Sequence, residues 1–480
     1  MEISMIGHAS IFVQTKDCRI LMDPVLWDPH QEGLFDVCPK REVIHDRIPE
    51  FDVLIISHRH LDHFDIRSLA FLPKTVDVFI PRDSLIKNCL SKLGFSQIYT
   101  LPDFNEVKLG STNLFTTRSE NRVPEYGIIF ADSSGVCWNQ VDTIVSPSTI
   151  NLILSRYAQI DLLLATWQPM LEVNYQLNQS ISFPYLPYNS FLRNVSLIQP
   201  KAVVPASNGF KAVNGSSWLN QILFPVTREQ FCRDVKLIYP KVANNVYPLD
   251  PGDLLTFEDD RFSYFAGGCD FVKKITDDTD DLEFSPVNVG CNLIDSNRNN
   301  YDVEDMIQVI DEEISLSMPK FIEENRALMF EEHCRWPIIY QLQVVFPEFV
   351  KTWHFDFSEA KIEAKQEPNP LANLFTYVTA SSLYGILKGF NGSDYAFLGG
   401  YYRSYSKIYS VVEKLGLIFP ENIEITDPLI MKVPDDNLDK VLDKEIEKWV
   451  NSEPVNNNKH HQITKMMRFG NTLIRMKQKV

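Results

Sequence analysis

Short, densely apolar runs separated by polar turns dominate the first half of the chain. SMIGHASIFVQT (4–15) and RILMDP (19–24) read as two strands meeting at the turn Lys16-Asp17. FDVLIISH (51–58) is apolar almost throughout, the pattern of a strand covered on both faces. DIRSLAFL (65–72) then takes helical spacing, followed by strand DVFIP, helix SLIKNCLSKLG closed by its glycine, and strand TNLFTT. EYGIIFAD and GVCWNQVD flank Ser133-Ser134-Gly135 as a hairpin. A helix near 147–158 and strands IDLLLAT and KAVVPAS complete this half. Strands with helices recurring between them predict an α/β sandwich rather than an all-β domain.

The texture changes past residue 250. DDTDDLE (277–283) and DSNRNNYD (295–302) are polar and turn-rich, which suits a connecting segment over 251–301. Val303, Met306, Ile307, Ile310 and Ile314 give residues 302–333 a helical period, with Pro319 as a break. PIIYQLQVVF and TWHFDFSEAKIEAKQ alternate like a hairpin, and NPLANLFTYVTASSLYGILKGF (369–390) reads as a helix stopped by glycine. The final KHHQITKMMRFGNTLIRMKQKV holds six Lys/Arg and no acid, and reads as a solvated tail. Three parts are expected: 1–250, the connector, and a mixed α/β region over 302–480 that caps the site of the first.

Composition narrows the partners. The chain has 480 residues, 44% of them hydrophobic, enough for large cores. Its formal charge of −17 argues against attraction to nucleic acid or an anionic membrane, so a small-molecule partner is expected. Eight cysteines lie without a C-x-x-C pair, and no run reaches about 18 apolar residues, so a reducing, cytoplasmic setting is expected. Neither G-x-G-x-x-G after a strand nor G-x-S-x-G occurs.

The chemistry concentrates in ISHRHLDHF (56–64). His58, His60, Asp62 and His63 form H-x-H-x-D-H directly after an apolar strand, using three of the ten histidines of the chain. Closely spaced imidazoles with a carboxylate suit borderline divalent metals such as zinc or iron. The motif resembles the signature of the metallo-β-lactamase superfamily, an αββα sandwich. That resemblance implies two metal ions, His58 and His60 on one, Asp62 and His63 on the other. GHASIFVQTKDCRILMDP (7–24) is similar to the start of the subgroup containing ascorbate-6-phosphate lactonase and N-acylphosphatidylethanolamine phospholipase D, in which Asp23 would orient a ligand histidine. Gln140-Val141-Asp142-Thr143 matches the Gly-Asp-Thr of the family in its last two residues, which would make Asp142 the bridge between the ions. His8 reads as a structural or supporting group.

Two histidines of the family pattern are missing. TTRSENRVPEYG offers Glu120 near the place of the third, and Ala206-Ser207-Asn208 stands where the last would be. Glu172, in the loop after IDLLLAT, and Asn208 are candidates for the metal or the substrate. A carboxylate in place of an imidazole hardens the donor set and shifts preference from zinc toward iron or manganese. Glu at that place resembles the diiron β-hydroxylase of chloramphenicol biosynthesis, and FADSSGVCWNQVD with WPIIYQLQVVF and YYRSYSKIY looks like CMP-N-acetylneuraminate hydroxylase. The Rieske pairs of that hydroxylase, Cys-x-His and Cys-x-x-His, are absent, so an external electron donor is expected. The expected activity is a non-haem diiron oxygenase hydroxylating or oxidising a small metabolite. The alternative is a zinc or manganese hydrolase of a phosphodiester, lactone or amide, with a metal-bridging hydroxide as nucleophile.

Overall fold

Strands with apolar residues on both faces need cover on both sides, and the chain supplies it by stacking two sheets between helices. The computed structural model describes residues 1–480 except 170, 207–208, 287–288, 290–292, 422, 424, 434–435, 451–464 and 477–480. In the first sheet, β1 (Glu2–Gly7), β2 (Ser10–Gln14) and β3 (Arg19–Met22) pair antiparallel, and β4 (Val53–Ile55), β5 (Asp77–Ile80) and β6 (Gln97–Thr100) continue it in parallel. The second sheet contains β7 (Glu106–Leu109), β8 (Thr112–Arg118), β9 (Tyr126–Asp132), β10 (Gly135–Asn139), β11 (Leu162–Ala165) and β12 (Ala202–Pro205).

Side-chain alternation sorts these residues into layers. Ile11, Val13, Ile20, Met22, Val53 and Ile55 meet Leu114, Ile128, Phe130, Leu162 and Leu164 between the sheets. Phe12, Leu21, Leu54 and Val78 point the other way, under α1 (Ile66–Phe71) and α2 (Ser84–Lys92). Ile129, Leu163 and Val203 lie on the far face of the second sheet, under α3 (Pro147–Arg156), α4 (Tyr185–Ile198) and α5 (Arg228–Ile238). The result is the αββα sandwich that the resemblance implied.

Both sheets extend past residue 250. β13 (Leu254–Glu258) pairs with β1, placing Thr256 opposite Glu2, and β14 (Arg261–Phe265) pairs with β13. Met306, Ile310, Tyr340 and Trp353 share one core with Ile129 and Leu163. The helical period over 302–333 becomes α6 (Val303–Glu312), one π turn, and α7 (Met318–Glu324) in unbroken succession, with Pro319, which has no N–H to donate, directly after the π turn.

The sequence reading is corrected at two places. Residues 369–390 are not one helix: β17 (Leu374–Thr379) runs parallel to β15 (Ile339–Val345), which also pairs with β16 (Val350–Asp356), and only then does α8 (Ala380–Leu387) begin. Alternating burial along LFTYVT, rich in β-branched and aromatic side chains, favours the sheet. The basic tail is structured too. β19 (Lys465–Phe469) and β20 (Thr472–Met476) form a hairpin that extends the second sheet beside β7. Arg475 there bonds Asp77, whose side chain is 1% exposed. No helix among the described residues is long and apolar enough to cross a membrane.

Candidate metal centre

The H-x-H-x-D-H loop is fixed at both ends. It leaves β4 through buried Ile56 and Ser57, and it ends where the Asp65 carboxylate caps α1 by accepting from Ser68 N at 2.8 Å. Between these anchors the amides of His63 and Phe64 donate to His60 O at 2.9 and 2.8 Å, a helical turn that brings Asp62 and His63 back toward His58. Asp23, fully buried after β3, holds the loop from below. Its Oδ1 accepts from Ser57 N at 2.7 Å, and its Oδ2 accepts from Ser57 Oγ at 2.6 Å and lies 3.0 Å from His63 Nδ1.

That contact sets the His63 tautomer. With Nδ1–H committed to Asp23, Nε2 is the free donor atom of the ring, as expected of a ligand histidine. His63 Nε2 is buried without a hydrogen bond, while Asp142 Oδ2 and Asp62 Oδ2 stand 3.0 and 3.6 Å away. His58 Nδ1 lies 2.9 Å from Ser57 Oγ, and its Nε2 is 2.9 Å from His60 Nδ1 and 4.0 Å from Asp142 Oδ2.

Asp142 arrives from the other sheet on a strained turn after β10. Val141 takes φ +53, a left-handed conformation that a β-branched residue rarely adopts. Buried Asn139 accepts from Val141 N at 3.0 Å, and Thr166 Oγ1 donates to Val141 O at 3.0 Å. Two groups of converging donor atoms result among the described residues: His58, His63 and Asp142, and His8, Asp62 and His63.

The remaining candidates from the sequence are placed differently. Glu120 turns outward, 3.4 Å from Arg118 Nη2, and belongs to neither group. Glu125, five residues on in the same loop, is the buried carboxylate: it accepts from Ser119 Oγ and from Asn121 Nδ2. Burial, with the charge of Asp142 adding to it, pushes Glu125 up to about 7. Sequence reasoning passed over Glu125; its place at the start of an apolar strand was the available signal. Glu172 begins a short helix, Glu172–Gln176, but its side chain and Asn208 lie outside the described residues. Arg41 was also missed: fully buried, it donates to Ile6 O and Val25 O, tying the end of β1 to the loop that follows Asp23.

The charges of the site are those of a cation site. Burial, helped by neighbouring His63 and His60, holds His58 well below the ordinary histidine value, so the ring is neutral and one of its nitrogens carries a lone pair. Burial opposes a charge on His63 as well, yet the carboxylates of Asp142 and Asp62 outweigh it and hold His63 well above that value. Burial likewise works against an anionic Asp62, and His63 and His8 overcome it, keeping Asp62 well below the usual carboxylate range. Two carboxylates that draw a proton onto a buried imidazole are suited to a metal ion that replaces that proton. With convergent nitrogen and oxygen atoms, a fixed tautomer and a buried His63 Nε2 facing the Asp142 and Asp62 carboxylates, these residues fit divalent metal.

Comparison with known proteins agrees with this centre. Residues 2–137 match the model of the Beta-lactamase superfamily domain. Over 186 residues the chain is 25% identical to a Mycobacterium tuberculosis protein named "Putative Rieske 2Fe-2S iron-sulfur protein", a match covering 35% of this chain and 36% of that one. The chain thus spans about a third of that relative. Among solved structures it is similar to an isothiocyanate hydrolase from Delia radicum gut bacteria, with 16% identity, TM-score 0.40, and 54% of this chain and 100% of that one covered. It is also similar to CmlA, a diiron beta-hydroxylase from Streptomyces venezuelae, with 17% identity, TM-score 0.32, and 42% and 44% covered. With the sandwich, the motif and the matched domain in one place, residues 2–137 carry a β-lactamase superfamily domain whose H-x-H-x-D-H loop contributes to two candidate metal-binding groups.

Proposed function

We propose that the chain is a non-haem diiron oxygenase that hydroxylates or oxidises a small metabolite. One observation carries the reading: in the 119–125 loop, which has no histidine, a buried carboxylate, Glu125, stands within electrostatic reach of Asp142 and His63. With Asp62 and Asp142 it makes the centre rich in oxygen donors, which favours iron or manganese over zinc. Bound iron would supply the electrons and open positions for dioxygen chemistry.

The side chains divide the work. His58, His60 and Asp142 would hold one ion, and Asp62, His63 and Asp142 the other. Asp23 fixes the His63 ring, and the bonds from Ser119 and Asn121 hold Glu125 in the dry part of the site, where a nearby cation would favour its ionised form. The 302–480 region would cap the site, a role supported by the bond from Gly392 N to Glu32 Oε1 at 2.8 Å, which fastens it to the segment after Asp23. The sequence contains no Cys-x-His or Cys-x-x-His pair, so reducing equivalents come from a separate electron donor. The Rieske name of the mycobacterial relative supports a donor of that class.

A second reading, hydrolysis of a phosphodiester, lactone or amide, is favoured by the H-x-H-x-D-H atoms converging with Asp142. That set suffices to acidify water between two zinc or manganese ions. Metal analysis of the protein expressed without supplementation separates the two. About two irons per chain, with reductant-dependent oxygen consumption, is the expected result. Iron content that falls in Glu125→Gln and not in Glu120→Gln would place the carboxylate. Zinc, with turnover under anaerobic conditions, would instead establish the hydrolase.

A further inference from the structure

Resting on the reading of the site as dinuclear, we infer that His8 is a direct ligand of the second metal ion, completing the set begun by Asp62, His63 and Asp142. Three protein donors leave a tetrahedral ion one position open, and the His8 imidazole lies beside two of those donors, Asp62 and His63. His8 Nε2 lies 2.9 Å from Asp62 Oδ2, which is 3.6 Å from His63 Nε2, and the ligand atoms of the three residues all fall within 4.8 Å of one another. Two donors about 2.1 Å from one ion and at the tetrahedral angle lie about 3.4 Å apart. The two separations, 2.9 and 3.6 Å, bracket that value.

The backbone is bent to put the ring there. Register slips between β1 and β2 from Met5 to Gly7; Gly7 takes φ +133 and His8 φ +48. A Cβ at Gly7 would come within 2.8 Å of Val37 Cγ1 and 3.0 Å of Arg41 Cδ, so the turn admits no side chain. Left-handed residues and bulges persist where the surroundings over-determine them, often beside functional atoms. The ring is 1% exposed, edge-on to His63 at 5.3 Å and to Phe210 at 5.2 Å, which fixes its plane. A purely structural histidine would only donate to Asp62. A ligand histidine shares an ion with it.

The two roles differ in what glutamine can replace. Gln at position 8 reaches Asp62 with an N–H but is a poor ligand for a transition metal. Equilibrium dialysis of the metal-free full-length chain against Co(II), with metal counted per chain and the visible spectrum recorded, tests the assignment. Wild type is expected to hold about two ions, and His8→Ala and His8→Gln about one each. Second-site affinity should fall more than about 100-fold in both, beyond the loss typical of a residue that only orients a ligand. Thermal melts of the metal-free variants check the fold. If His8→Ala does not fold, His8→Gln, which keeps the bulk and the bond, carries the comparison. Two ions retained by His8→Gln would overturn the assignment, as would loss of the second ion from Asn208→Ala with His8→Ala unaffected. A wild type holding fewer than two ions would overturn the dinuclear reading itself, before any variant is compared.

Discussion

Replacing Asp23 by Asn tests the centre at the point where fold and metal chemistry meet. The carboxylate is fully buried and faces three groups: Ser57 N at 2.7 Å, Ser57 Oγ at 2.6 Å and His63 Nδ1 at 3.0 Å. Bonds to a charged acceptor contribute about 1.5–3 kcal/mol each and neutral ones about 1. An Asn in the same pose keeps a neutral bond from Ser57 N and presents its NH2 to the other two. Ser57 Oγ can turn to accept, but His63 Nδ1 accepts only if its proton moves to Nε2. Converting three charge-assisted bonds to neutral ones should cost about 2–4 kcal/mol of stability in the metal-free protein. The proton relocated to Nε2 would occupy the atom that faces Asp142 and Asp62, so metal affinity should fall by at least about 10–100-fold. Urea unfolding of the metal-free protein reads the first effect and Co(II) titration the second. Stability within about 0.5 kcal/mol of wild type, together with unchanged affinity, would refute the role assigned to Asp23.

Three further outcomes are expected elsewhere in the fold. Arg475→Ala strips a buried carboxylate, Asp77, of its cation and should cost about 3–5 kcal/mol, with faster amide exchange over 465–476; an unchanged melting temperature would mean that the terminal hairpin is not anchored there. Gly7→Ala adds a methyl against Val37 and Arg41 in a left-handed backbone, so a loss above about 1–3 kcal/mol is expected, with weaker metal binding because His8 moves. Burial first, then the charges of Asp65 and Glu32, push Glu445 up to about 7. Because the folded state holds this proton more tightly than the unfolded chain, stability should fall as pH rises from about 4.5 to 7, by about 1–3 kcal/mol from this group. Glu445→Gln should shrink the drop in urea midpoint between pH 5 and pH 8; a drop equal to that of wild type would contradict the assignment.

Where contacts are local, the sequence shows them. His58, His60, Asp62 and His63 lie within one turn after a strand, so spacing alone brings their side chains close. Where one loop holds two carboxylates, spacing did not suffice. Glu120 and Glu125 are five residues apart, and what separates them is Arg118 on the outside and Ser119 and Asn121 on the inside. The strand at 374–379 was read as part of a helix because an apolar run beside a helix-forming one has no clear period, whereas a parallel neighbour at 339–345 decides the matter.

The sequence by itself determined the layered α/β architecture and the metal-binding loop, because both follow from patterns repeated within a few residues. Tertiary structure alone decided which distant residues meet that loop, His8 from a bulged first strand and Asp142 from the opposite sheet on the strained Val141, and which others are buried: Glu125 rather than Glu120, and a basic tail that extends the second sheet and reaches Asp77 of the first through Arg475. Those meetings depend on strand register and on burial of charge, which are set by packing between segments up to several hundred residues apart and leave no local trace in the chain.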